Sequence, residues 1–141
     1  MKKKIFVFGM ASILFILIFP VIRMKIEEQS TNICELVIET TGTHNPKSNG
    51  TEVWIDGINV DGNDIDLSAI ELAQGWELNG RIFSKGDTQY YLKIELPYKE
   101  CLQIRFIKHP YSGIVNVIYG DKKNIIDLFA EQEMIDIYKI E

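Results

Sequence analysis

The residue types that usually advertise chemistry are scarce here: two cysteines, two histidines and four prolines in 141 residues. There is no GxSxG elbow, no HExxH or CxxC pair and no Walker-type glycine loop. His44 and His109 have no second His or Cys at ligand spacing, so each reads as a surface or turn residue. No catalytic constellation, metal site or cofactor is expected, and a binding or structural role is favoured over an enzyme. Basic residues are thin beyond the N-terminus. With Lys2, Lys3, Lys4 and Arg23 set aside, 11 basic residues face all 20 acidic ones, a net charge of −9. Such a field repels phosphate backbones, which excludes nucleic acid as a partner. Past residue 30 there is no long stretch of 3.6-residue periodicity, no internal repeat and no low-complexity tract, so one domain is expected there.

What is present begins with a long apolar run. After Met-Lys-Lys-Lys, residues 5–22 (IFVFGMASILFILIFPVI) carry no charge, and about 20 such residues span the hydrocarbon core as a helix. A cleaved secretory signal is the competing reading, but Pro20, Val21, Ile22, Arg23, Met24 and Lys25 follow the run in place of small cleavage-site residues. The expected organisation is a signal-anchor or transmembrane helix over 1–26, a spacer over 27–32 and one domain over 33–141. Lys2, Lys3 and Lys4 outnumber Arg23 and Lys25, so residues 33–141 should lie outside the cytoplasm of a single-pass protein in the cell membrane.

The domain reads as strand after strand. Segments 33–41, 52–55, 76–83, 89–96, 101–108, 113–119, 124–129 and 134–140 are short, rich in β-branched and aromatic residues and separated by Gly, Pro, Asn and Asp. Together they predict an all-β fold, an antiparallel β-sandwich of about eight strands. Asn79-Gly80 and Gly120-Asp121 are placed for tight hairpins. In 89–96, Tyr90, Leu92, Ile94 and Leu96 alternate with Gln89, Tyr91, Lys93 and Glu95, the pattern of a half-buried antiparallel strand. Residues 67–73 (LSAIELA) read as irregular or a short strand. Strand phase turns Cys101 away from the face that holds Leu102, Ile104 and Phe106, which favours two free thiols over a Cys34–Cys101 bridge. The acidic stretch 56–66 reads as turn chemistry in preference to a calcium site, since it lacks the carboxylate spacing and closing Glu of an EF-hand loop.

Exposed aromatics are the binding candidates, because flat rings on a polar face stack on sugar rings or partner surfaces. Val53 and Ile55 face inward, which leaves Trp54 outward beside Glu52 and Asp56; the same phase argument picks out Tyr91. The loop 108–113 adds His109, Tyr111 and Ser112 around Pro110, and loops on a rigid scaffold are where binding residues collect.

The stretches NGTEVWIDGI (49–58), DIDLSAIEL (64–72), GWELNG (75–80) and RFIKHPYSGIVNVIYG (105–120) together resemble a β-sandwich module, similar to carbohydrate-binding folds, of bacterial membrane proteins in cell-surface polysaccharide and glycosyl-transfer systems. The resemblance spans about residues 35–129 and is most specific over 108–115; the multi-span and catalytic regions of such proteins have no counterpart here. It implies an envelope role, with cell-surface glycan as ligand or a membrane protein as assembly partner.

From the 5–22 run, the protein should pellet with membranes and be released by detergent but not by high salt or carbonate. A soluble form beginning near residue 25 would contradict the anchor. Protease added to spheroplasts should degrade the 33–141 domain, and full protection would reverse the orientation.

Overall fold

A computed structural model describes residues 32–97 and 101–141. The apolar run 5–22 lies outside the described residues, as do the spacer up to Thr31 and residues 98–100. No helix among the described residues is long and apolar enough to cross a membrane.

Asn32–Glu141 forms one compact unit. Its described residues form ten strands: β1 (Ile33–Thr40), β2 (Val53–Val60), β3 (Asn63–Asp64), β4 (Glu77–Asn79), β5 (Arg81–Ser84), β6 (Tyr91–Pro97), β7 (Leu102–Lys108), β8 (Ile114–Tyr119), β9 (Lys122–Asp127) and β10 (Met134–Ile140). They pair into two antiparallel sheets, a four-stranded one in the order β6-β1-β8-β9 and a six-stranded one in the order β10-β7-β2-β5-β4, with β3 paired to β2. The fold is all-β and sandwich-like, as the alternation predicts.

Alternation decides which face each strand buries. Leu36 and Ile38 of β1, Leu92, Ile94 and Leu96 of β6, and Val115 and Val117 of β8 project from the smaller sheet. Val53, Ile55 and Ile58 of β2, Ile82 of β5, and Leu102, Ile104 and Phe106 of β7 meet them from the larger one, and all belong to one apolar core. Each fully buried aliphatic side chain contributes about 1.5–3 kcal/mol relative to exposure. The segment 67–73 packs Leu67, Ile70 and Leu72 against this core. It forms a single 3-10 turn, Leu67–Ala69, whose N-cap Asp66 accepts the Ser68 amide at 2.9 Å.

Three details differ from the sequence reading. The segment 76–83 is two strands, reversing at Gly80 with φ +70° while Asn79 keeps a negative φ. The tight turn with two positive φ angles lies instead at Asp61-Gly62 (+48° and +86°), which joins Val60 to Asn63. Finally, β2 runs on through the acidic stretch to Val60, past a register shift between Ile55 and Gly57. Asp, Gly and Asn are poor strand formers, but a central strand is held by both neighbours, and the bulge breaks the alternation that would have revealed it. Gly120-Asp121 does join β8 to β9, with Tyr119 opposite Lys122. Cys34 and Cys101 are both free.

Residues 32–141 should fold alone, because the core closes within them. Far-ultraviolet circular dichroism of that segment should show β signal with little helix, and substantial helix would refute the fold.

Candidate functional site

The outer face of the larger sheet carries three ordered rows, set by the register of β10, β7, β2 and β5. Ile135 lies opposite Ile107, Ile107 opposite Trp54 and Trp54 opposite Phe83, an apolar row across four strands on the side away from the core. The row above it is ionic. Arg81 Nε donates to Asp56 Oδ1 at 2.9 Å, Arg105 Nε stands 3.5 Å from Asp56 Oδ2, and Arg105 Nη1 and Nη2 reach Asp64 at 2.9 and 3.2 Å. The Arg105 hydrogen bonds, joined by one from Asn59, hold the Asp64 carboxyl below its usual range. The guanidinium lies across Gly57, where any Cβ would collide with it. A third row is polar, with Lys139 opposite Gln103 and Gln103 opposite Asn59.

The β2 bulge builds this pattern. It sets Asp56 and Gly57 side by side on the outer face, so a carboxylate and a bare backbone meet Arg105 together. The four carboxylates of the acidic stretch therefore diverge: Asp56 and Asp64 take arginines, Asp61 accepts the Cys101 amide and Asp66 caps the 3-10 turn. No three His, Cys, Asp or Glu residues among the described residues converge as metal ligands.

Beside the middle of the apolar row a concavity of about 360 Å³ opens, lined by Glu52, Trp54, Arg81, Ile107, His109, Pro110, Tyr111 and Glu133. Its size suits one small ring or side chain. Trp54 leans on Phe83, with centroids 4.4 Å apart and planes at 41°, and its Nε1 donates to Glu52 Oε2 at 3.0 Å. The other wall is a reverse turn. The Ser112 amide donates to His109 O at 3.1 Å, with Pro110 at the second position where its fixed φ is favoured. This turn is clamped from behind. Ser48 Oγ donates its one proton to Ser112 O at 2.7 Å and lies 3.0 Å from Pro110 O, and the Asn49 and Glu52 amides donate to Pro110 O and Tyr111 O at 2.8 and 2.9 Å.

The clamp also fixes the imidazole. The Tyr111 amide donates to His109 Nδ1 at 3.1 Å, so that nitrogen is the acceptor and the ring proton sits on Nε2. Nε2 is buried without a hydrogen-bond partner, with Glu52 Oε2 standing 3.7 Å away. Nε2 is thus a buried donor with no partner of its own among the described residues.

The structure thus gathers Trp54, His109 and Tyr111 in one hollow. Ser112 belongs to the same turn but is fully buried, and its Oγ accepts the His109 amide at 3.1 Å, so it supports the loop and does not face the hollow. Tyr91 stands apart, on β6 of the other sheet, exposed and hydrogen-bonded to Glu39. Burial opposes ionisation of Glu39, but hydrogen bonds from Asn116 and Gln89, the Lys123 charge and Tyr91 outweigh it and hold the carboxyl below its usual range. A second hollow, about 520 Å³, lies between Glu35, Lys93, Glu95 and the 65–71 segment, and no aromatic lines it. Phe83, Glu52, Arg81 and Glu133 were not singled out by the sequence reading. The alternation of Arg81-Ile82-Phe83-Ser84 does signal that Phe83 faces outward, whereas Glu133 comes near only through the β10–β7 register.

No protein-family model, curated protein or solved structure matches this chain. The resemblance of residues 35–129 to carbohydrate-binding-like modules gains no support from those comparisons.

Trp54 is half-buried on a sheet face, whereas Val53 and Ile55 beside it are fully buried. Trp54→Ala should therefore cost about 1–2 kcal/mol in denaturant unfolding of residues 32–141, against the roughly 3–5 kcal/mol of a core aromatic such as Phe106. Equal losses at Trp54 and Phe106 would make Trp54 a core residue.

Proposed function

We propose that residues 32–141 are a non-catalytic binding module, held outside the cytoplasm by a membrane anchor at 5–22, which recognises an envelope glycan at the hollow between Trp54 and the 109–112 turn. The observation that carries this reading is the pairing of an aromatic wall with open polar groups. Trp54 and Tyr111 offer aromatic surface, and Glu52 and Glu133 offer acceptors. Pyranose rings present an apolar face and a rim of hydroxyls, which such a surface matches. The turn is prebuilt by the Ser48 clamp, so little conformational freedom is lost on binding.

Two features favour binding over catalysis. Ser112, the serine nearest His109 in sequence, turns its hydroxyl to backbone, and Nδ1 of His109 is taken up by the Tyr111 amide, so the two form no Ser–His relay. The anchor and the outward placement rest on the 5–22 run and the lysine bias.

A second reading is a structural subunit that docks a membrane enzyme or transporter of surface-polysaccharide assembly. The edge strand β10 favours it, since Met134, Ile135 and Ile137 are about half exposed along a strand paired only to β7 among the described residues. Purified envelope polysaccharide should bind the full-length protein in calorimetry. Trp54→Ala and Tyr111→Ala should each weaken binding by about 1–3 kcal/mol, while Tyr91→Ala, on the other sheet, leaves it unchanged. Absence of polysaccharide binding, with a membrane protein co-purifying through β10, would favour the second reading.

A further inference from the structure

The charges around the hollow do not cancel, and their imbalance narrows the ligand. Two plus and two minus charges are consumed in the outer-face chain Arg81, Asp56, Arg105 and Asp64. The one guanidinium that lines the hollow is therefore already matched. His109 adds no charge while its Nδ1 accepts the Tyr111 amide. That leaves two carboxylates, Glu52 and Glu133, both in the lining. Glu52 receives the Trp54 indole, a neutral donor, and Glu133 has no hydrogen bond or ion pair among the described residues. The same hollow is lined by Trp54 and Tyr111, and aromatic ring faces attract cations. Because the Trp54 Nε1 is already bonded to Glu52, the indole has its ring and not its N–H to offer.

Building on the glycan reading above, we propose that this hollow selects a sugar bearing a free amine, its ammonium held by Glu52 and Glu133 against Trp54 and Tyr111. A free ammonium satisfies both carboxylates and the ring faces at once. An N-acetyl group offers neither the charge nor the three donors, and its added bulk must fit the same 360 Å³.

The test compares oligomers of glucosamine and of N-acetylglucosamine of equal length, titrated against the full-length protein purified in a non-ionic detergent. The glucosamine oligomer should bind at least about tenfold tighter, and the preference should shrink as salt is raised, as expected of a partly exposed ion pair. Glu133→Gln, an exposed substitution that removes charge without size, should bring the two oligomers close to parity; Glu52→Gln should do the same while keeping an acceptor for Trp54. Equal binding of both oligomers, or binding of envelope polysaccharide but of neither oligomer, would overturn the amine preference and leave the glycan reading standing. Failure of every saccharide would overturn both, and so would capture of a lysine-rich peptide in their place.

Discussion

Everything at the candidate site depends on β2 being a central strand with two occupied faces. Inward, Val53, Ile55 and Ile58 anchor the core; outward, Trp54 and Asp56 begin the apolar and ionic rows. Because β2 is paired on both sides, its phase cannot slip by one residue without turning the core face to solvent and the indole into the core. The position of Trp54 is thus set by the burial of its neighbours. The bulge at Asp56 uses the single place where the alternation relaxes, and it puts a carboxylate where Arg81 and Arg105 both reach it.

The second wall is secured differently. The 109–112 turn lies beyond the sheet ladder, so its backbone groups need other partners, and the 48–52 segment supplies them. Ser48 and Ser112 are both nearly inaccessible and spend their hydroxyls on backbone. Two sequence-distant loops thereby become one rigid rim, and His109 and Tyr111 inherit their orientation from it. This also explains an otherwise costly arrangement, a largely buried imidazole with one nitrogen unmatched: the turn that places the ring fixes Nδ1 as acceptor and leaves Nε2 without a partner.

Much of the fold was legible because antiparallel strands with one wet face write themselves as alternation. The strand at 89–96 shows it plainly: Leu92, Ile94 and Leu96 are buried while Tyr91, Lys93 and Glu95 are exposed. The outward phase of Trp54 was legible for the same reason. What alternation cannot carry is which strand lies beside which. The meeting of Ile135, Ile107, Trp54 and Phe83, and the approach of Glu133 to Trp54, depend on cross-strand register between segments far apart in the chain. Tyr91 and Trp54 looked alike as outward aromatics in polar strands, yet they belong to different sheets. The Ser112 hydroxyl lies in a loop that the sequence marks for binding, and only the fold reveals that it is spent on the turn.

The sheet order also has a kinetic side. β1 pairs with β6 and β8 and with no strand adjacent to it in the chain, running from Ile33 opposite Pro97 to Glu39 opposite Tyr91. Its loop closures are long, and such topologies fold slowly because chain entropy is lost well before the contacts that repay it are made. The hairpins β4–β5 and β8–β9 close locally and are available early. During synthesis β1 must wait for β6 for its first partner and for β8 for its second, with Leu36 and Ile38 uncovered meanwhile. For this chain, the interval between emergence and closure is when association with a chaperone or a neighbouring chain would matter most.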